Sequence, residues 1–238
     1  MGAMLVLKMG STLTSLKSRK GDFESWITAG LGLPPTEVDV VDVSADEPLP
    51  PADGHAGIIV TGSHTMVTER RGWSERAADW LRGNMRRDVP ILGICYGHQL
   101  LAHALGGEVG NNPKGREFGT AEVTMEKSAR GDALLGSLPR SVRVQVSHTQ
   151  SILKLPPEAV RLASNPWDHN QAARFAPRAW GVQFHPEFDA EVIREYIQHF
   201  ERSLREEGQD TDRLRMLAED TPFGGLILRR FAGLCQAG

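Results

Sequence analysis

Residues 93–97, Gly-Ile-Cys-Tyr-Gly, set one thiol between two glycines, each two positions away. Ahead of them Val89-Pro90-Ile91-Leu92 reads as a buried strand. Behind them Leu100, Leu101, Ala104 and Leu105 make a helical stripe that stops at Gly106-Gly107. A strand turning straight into a helix between small residues lifts one side chain to the carboxyl edge of a sheet, as in a nucleophile elbow. Cys95 is that side chain. The positive end of the helix dipole favours its thiolate. The Tyr96 N–H, unpaired in the first turn, is placed to donate to an oxyanion. A free cysteine is ordinarily a small buried hydrophobe, and Cys235, which lacks this setting, keeps that reading.

A thiol nucleophile needs an imidazole to move the proton and a third group to hold the imidazole. Among eight histidines, His185 has the best setting, at the end of an apolar strand read over Trp180 to Phe184. Pro186 biases His185 towards an extended backbone, which turns residues i and i+2 to one side, so the Glu187 carboxylate can reach the ring. Taken alone, the pair also fits surface electrostatics. Ile58-Ile59-Val60 runs into Thr61-Gly62-Ser63, and an N–H of Gly62 or Ser63 beyond that strand would face the same carbonyl as Tyr96. His98 and His103 share a helix, but five residues apart they do not form a metal pair, and no cysteine or carboxylate cluster completes a zinc site. His55, His64, His169 and His199 read as loop or surface-helix residues, so no metal is expected.

These groups need a frame. Leu5-Val6-Leu7, Val38 to Val43, Ile58 to Val60 and Val89 to Ile94 are nearly continuous apolar runs, as expected of strands covered on both faces of a parallel sheet. Trp73, Ala77, Trp80 and Leu81 fall on one helical face between two of them. Strand and helix alternate to residue 106, which predicts an α/β fold with an open, doubly wound sheet. From Gly107 to Phe184, short alternating strands and turns such as Asn111-Asn112-Pro113 suggest an antiparallel extension, making one mixed sheet flanked by helices. Val192, Ile193, Tyr196, Ile197, Phe200 and Leu204 predict one amphipathic helix. A polar break over Glu206 to Asp212 then precedes a helical tail with Ile227, Phe231 and Leu234 on one face.

The 238 residues carry 27 Lys+Arg against 30 Asp+Glu, a net charge of −3. That balance offers no electrostatic footprint for nucleic acid or an anionic membrane. Two cysteines make no disulfide framework, and no run approaches the length of a membrane span. A cytoplasmic, reduced protein is expected. No phosphate-binding Gly-Lys loop or dinucleotide glycine fingerprint is present, so no cofactor is expected and any energy-requiring amination would need another subunit.

Gly93-Ile94-Cys95-Tyr96-Gly97-His98-Gln99, followed by Phe184-His185-Pro186-Glu187, resembles the class I, triad-type glutamine amidotransferases. The similarity is greatest to stand-alone members resembling the amidotransferase domain of GMP synthase. Thr61-Gly62-Ser63, Gly115-Arg116-Glu117-Phe118-Gly119 and Val146-Ser147-His148-Thr149-Gln150 support it. The resemblance implies a flavodoxin-like three-layer sandwich, with Cys95 as nucleophile, His185 as acid and base, and Glu187 as its orienter. It further implies that Gln99 and the backbone near Thr149 and Gln150 bind the amino-acid end of glutamine. The chain departs from the GMP synthase group at Gly62-Ser63-His64, where that group has Gly-Gly-Pro, and at Ser147-His148-Thr149-Gln150, where it has Ser-His-Gly-Asp. The expected organisation is a catalytic domain over residues 1–206 and a helical tail over 207–238, packed on the domain or on a partner. The expected activity is hydrolysis of glutamine to glutamate and ammonia, alone or with a synthetase partner. A γ-glutamyl peptidase acting on larger γ-glutamyl amides and a catalytically silent binding module are the alternatives.

Overall fold

The computed structural model describes residues 2–85, 87 and 89–236. Four parallel strands come first: β1 (Met4–Lys8), β2 (Val38–Asp42), β3 (Gly57–Val60) and β4 (Ile91–Ile94). Among them lie helices α1 (Thr14–Lys20), α2 (Phe23–Leu31) and α3 (Gly72–Asn84), and α4 (Tyr96–Ala104) follows. Next come β5 (Glu108–Asn111), β6 (Glu117–Met125), β7 (Ser141–His148), β8 (Gln150–Lys154), β9 (Val160–Ser164), β10 (Ala172–Ala176) and β11 (Ala179–Val182). Helices α5 (Ala190–His199), α6 (Glu201–Glu206), α7 (Thr211–Leu217) and α8 (Pro222–Gln236) complete the chain. The main sheet runs β2-β1-β3-β4-β11-β10-β9-β6-β7. Its first five strands are parallel and the last four antiparallel, while β5 and β8 form a separate ribbon.

The apolar runs explain the layering. In β1, Leu5 and Leu7 enter one core with Ile58, Val60, α3 and α4, whereas Met4 and Val6 enter the other with Ile59, Leu92, α2, α5 and α8. Successive strand residues point to opposite faces, so a continuous apolar run serves two helical layers at once. Each fully buried leucine stabilises this arrangement by about 1.5–3 kcal/mol. Asp22 starts α2 by accepting the Phe23 N–H, and Gly32, left-handed at φ 72°, ends it.

Several sequence expectations need correction. β2 is the sheet edge, with Asp39 and Val40 exposed, so it is not covered on both faces. The strand before His185 ends at Val182. His185 itself meets the sheet only through a bridge to Gln145, because its N–H donates to the Gln145 carbonyl at 2.8 Å. The helix expected over Val192 to Leu204 is two helices that break at Phe200, and α7 begins inside the expected polar break. Beyond residue 207 the chain packs on the body: Ile227, Leu228 and Phe231 of α8 are fully buried in the core that contains α2.

Candidate active site

β4 delivers Cys95 directly onto the first turn of α4. The Cys95 backbone sits at φ 50°, ψ −99°, a conformation that costs a non-glycine residue about 1–3 kcal/mol. Its N–H is tied to the Val182 carbonyl at 2.8 Å. The flanking glycines are steric requirements. A Cβ on Gly93 would lie 2.5 Å from the Gly97 carbonyl, and one on Gly97 would lie 2.3 Å from that of Val60. The thiol is nearly buried, with the Gln183 Nε2 amide donating to Sγ at 3.6 Å.

His185 Nδ1 and Glu187 Oε1 are 2.7 Å apart, with both side chains buried. Burial opposes a charged imidazole, but the charges of Glu187 and Cys95 and hydrogen bonds to both outweigh it, and His185 is pushed up to about 10. Phe188 stacks on the ring at 4.0 Å. Gly62 abuts the Cε1 edge of the ring, where a Cβ would approach to 2.9 Å. The second Glu187 oxygen, Oε2, is buried without a hydrogen-bond partner among the described residues.

A cavity of about 340 Å³ opens beside Cys95 and is lined by Ser63, Tyr96, Gln99, Thr149 and Gln150. The structure thus brings these expected site residues together around one space, with His185 beside the Cys95 that lines it, Glu187 bonded to His185 and Gly62 against the same ring. The Gln99 amide donates to the Gln150 carbonyl at 2.7 Å and to Gln183 Oε1 at 2.9 Å. The Gln150 side chain turns away, bonding Thr68 and Asn111, so only its backbone faces Gln99. The Tyr96 hydroxyl points back to Ser74 at 2.6 Å, and burial pushes it up to about 12.

Three side chains went unassigned from sequence. His148 Nε2 lies 2.9 Å from Glu117 Oε2, and Nδ1 lies 3.0 Å from the Gln150 carbonyl. Both ring nitrogens face acceptors, so both must donate and the ring is an imidazolium. Burial opposes that charge, but the hydrogen bond and charge of Glu117, with Asp168 and Cys95, keep His148 raised. Its only sequence signal was membership of the 147–150 segment, since Glu117 is remote in the chain. His64, expected on a loop, lines the cavity, and its Nε2 lies 3.2 Å from the Tyr196 hydroxyl. Burial, then the neighbouring charge of His185, keeps it lowered and neutral. The third, Gln183, bridges Gln99 and Cys95.

His98 is fully buried, bonded to the Asn170 carbonyl at 2.8 Å and lowered by burial to about 4. His103 pairs with Glu75 at 3.0 Å. Among the described residues no group of three His, Cys, Asp or Glu side chains is placed to hold a metal ion, and no helix is long and apolar enough to cross a membrane. Cys235 is buried, which pushes its thiol up to about 12.

The family model described as glutamine amidotransferase class-I matches residues 21–202. A GMP synthase [glutamine-hydrolyzing] of Aeropyrum pernix is 38% identical over 155 residues, which cover 65% of this chain but only 27% of that protein. Gamma-glutamyl peptidase 5 of Arabidopsis thaliana is 28% identical over 147 residues, 61% of this chain and 59% of the relative. A glutamine amidotransferase of Thermotoga maritima superposes over 100% of this chain and 98% of its own, with a TM-score of 0.75 and 20% identity. At that identity the likeness speaks to the fold.

Proposed function

Because the chain belongs to the class I glutamine amidotransferase family, we propose that it hydrolyses the side-chain amide of glutamine to glutamate and ammonia through a thioester on Cys95. The observation that carries this reading is the imidazole of His185, held by Glu187 and charged beside the Cys95 sulfur. The thiolate attacks the amide carbon, and the carbonyl electrons move to oxygen, where N–H groups of Gly62 or Ser63 and of Tyr96 receive the negative charge. His185 gives its Nε2 proton to the nitrogen, the C–N bond breaks and ammonia leaves. The neutral imidazole then takes a proton from water as the water oxygen attacks the thioester. Collapse of that second intermediate returns the thiolate and frees glutamate. Gln99 and the backbone of Thr149 and Gln150 hold the amino-acid end, and a synthetase partner is the natural consumer of the ammonia.

The experiment is to incubate the purified chain with glutamine and follow ammonia and glutamate together, with Cys95→Ala as the comparison. Equimolar products from the wild type and none from the folded variant are expected. Ammonia release by Cys95→Ala at the wild-type rate would overturn the assignment.

A second reading has its own support. Beyond the residues around Cys95, the cavity is walled by His64, Arg116, Phe118, His199 and Phe200, more space than an unsubstituted amide requires, and one relative is a γ-glutamyl peptidase. Under this reading the enzyme cleaves larger γ-glutamyl amides. A kcat/KM for γ-glutamyl dipeptides well above that for glutamine selects it, and the reverse order selects glutaminase.

A further inference from the structure

The segment linking α7 to α8 passes directly behind the His185-Pro186-Glu187 turn. Gly224, in the first turn of α8, lies so close that a Cβ would stand 2.3 Å from the Pro186 carbonyl oxygen and 3.0 Å from its Cα. Asp220 Oδ1 accepts the N–H of Ala190, at the start of the helix that leaves the turn, at 2.9 Å. Gln145 connects the two sides. Its backbone carbonyl accepts the His185 N–H at 2.8 Å, and its side-chain amide donates to the Glu219 carbonyl at 2.6 Å. Thr120 donates to the remaining Gln145 oxygen at 2.8 Å, and Gln145 is wholly buried. Arg194 of α5 donates to the Ala218 carbonyl from the same side.

We infer that residues 218–224 form a strap that fixes the His185-Pro186-Glu187 turn, making Gly224 and Gln145 positioning residues for the pair that serves Cys95. This rests on the hydrolytic reading above. The segment lies outside residues 21–202, the stretch matched to the family model. Phe188 and Gly62 hold the imidazole ring itself, but the backbone of the turn lies beyond the regular sheet. β11 ends three residues before His185, and Pro186 has no N–H to offer the sheet. Backbone packing against Gly224 and the hydrogen bonds through Gln145 take the place of a ladder. An error of about 1 Å in a catalytic group costs on the order of a hundredfold in rate, so a rigid backing is an economical way to keep the imidazole aligned.

The test is Gly224→Ala, whose methyl group must push the turn or the helix aside. Two comparisons on the same helix control for other effects. Gly233→Ala makes the same chemical change where nothing lies within 4 Å of the new Cβ. Leu228→Ala removes a fully buried side chain one helical turn further on, packed against Gly30 of α2. The readouts are kcat, KM and the pH profile of Cys95 alkylation by iodoacetamide. That profile reports the imidazole together with the groups around it: Glu187 on its own segment, Cys95 at the start of α4, His64 after β3, and Tyr196 of α5 beside Glu187.

Gly224→Ala is expected to lower kcat by about tenfold to a hundredfold with little change in KM, and to move the alkylation profile by about one pH unit. Gly233→Ala keeps the wild-type profile, and Leu228→Ala lowers the melting temperature without moving it. If Gly224→Ala fails to fold, Gln145→Met cuts the side-chain link without adding bulk and is expected to lower kcat and move the profile in the same way. A wild-type kcat and profile in the folded strap variant overturns the inference, as does an equal displacement in Leu228→Ala. A wild type inactive on glutamine and on γ-glutamyl amides refutes the hydrolytic reading instead, and the alkylation profile still reads the strap.

Discussion

Replacing Glu187 by Gln removes one negative charge from beside His185 while keeping the shape of the side chain. In the wild type the imidazole rises from 6.5 to about 10 against the pull of burial. That net rise is worth about 5 kcal/mol, so Glu187 and Cys95 together supply more than this to overcome burial. With Glu187 neutral, Cys95 alone opposes burial, so the ring loses its second proton at least about one pH unit earlier. The same interaction appears in stability, and its sign is fixed. A histidine raised on folding contributes fully below 6.5, and the contribution disappears as pH rises through about 10. Urea unfolding between these limits should therefore show the wild type losing up to about 5 kcal/mol from this site, and Glu187→Gln losing clearly less. Imidazole NMR shifts give the titration directly, and turnover should fall by about a hundredfold to ten-thousandfold because the ring is no longer held. If the variant's imidazole titrates at the wild-type pH, or its stability falls as steeply over this window, the ion-pair reasoning is wrong.

Gly97→Ala forces a Cβ to within 2.3 Å of the Val60 carbonyl and should cost about 1–3 kcal/mol. Thermal unfolding checks this, and an unchanged melting temperature contradicts it. Glu117→Gln leaves the His148 imidazolium buried without its anion, an expected loss of about 3–5 kcal/mol measurable by urea unfolding at neutral pH. Asp22 is buried, yet Lys8 at 2.8 Å and the N–H groups of Thr12 and Phe23 hold its carboxyl well below the usual range. Its stabilisation is present above 3.8 and is lost as pH falls below that value. An acid titration followed by circular dichroism should accordingly find Asp22→Asn less stable at neutral pH and flatter in acid than the wild type.

What the sequence disclosed follows from how local each constraint is. The Cys95 elbow was legible because the sharp turn demands glycines at fixed offsets, and the His185-Glu187 pair because two residues of extended chain suffice to join them. β1, β3 and β4 were legible because double burial writes a continuous apolar run. β2 shares that composition, yet its place at the edge is set by strand order, which composition does not encode. The helix over Phe23–Leu31 had a signal in Phe23, Ile27 and Leu31, spaced four apart, that went unread. The Glu117-His148 pair and the Gln145 link to the tail join residues 31 and 74 positions apart. No local pattern announces such pairs, and the neighbours of Gly224 are visible only once α8 has docked.

The positive φ of Cys95 sets stability and chemistry against each other within a single residue. Glycine occupies that backbone region at little cost, so Cys95→Gly recovers part of the about 1–3 kcal/mol of strain while deleting the proposed nucleophile. The backbone that lifts the sulfur to the edge of the sheet thus works against the conformational stability of the chain. Cysteine at this position therefore holds its sulfur at the edge of the sheet at a standing cost in conformational energy.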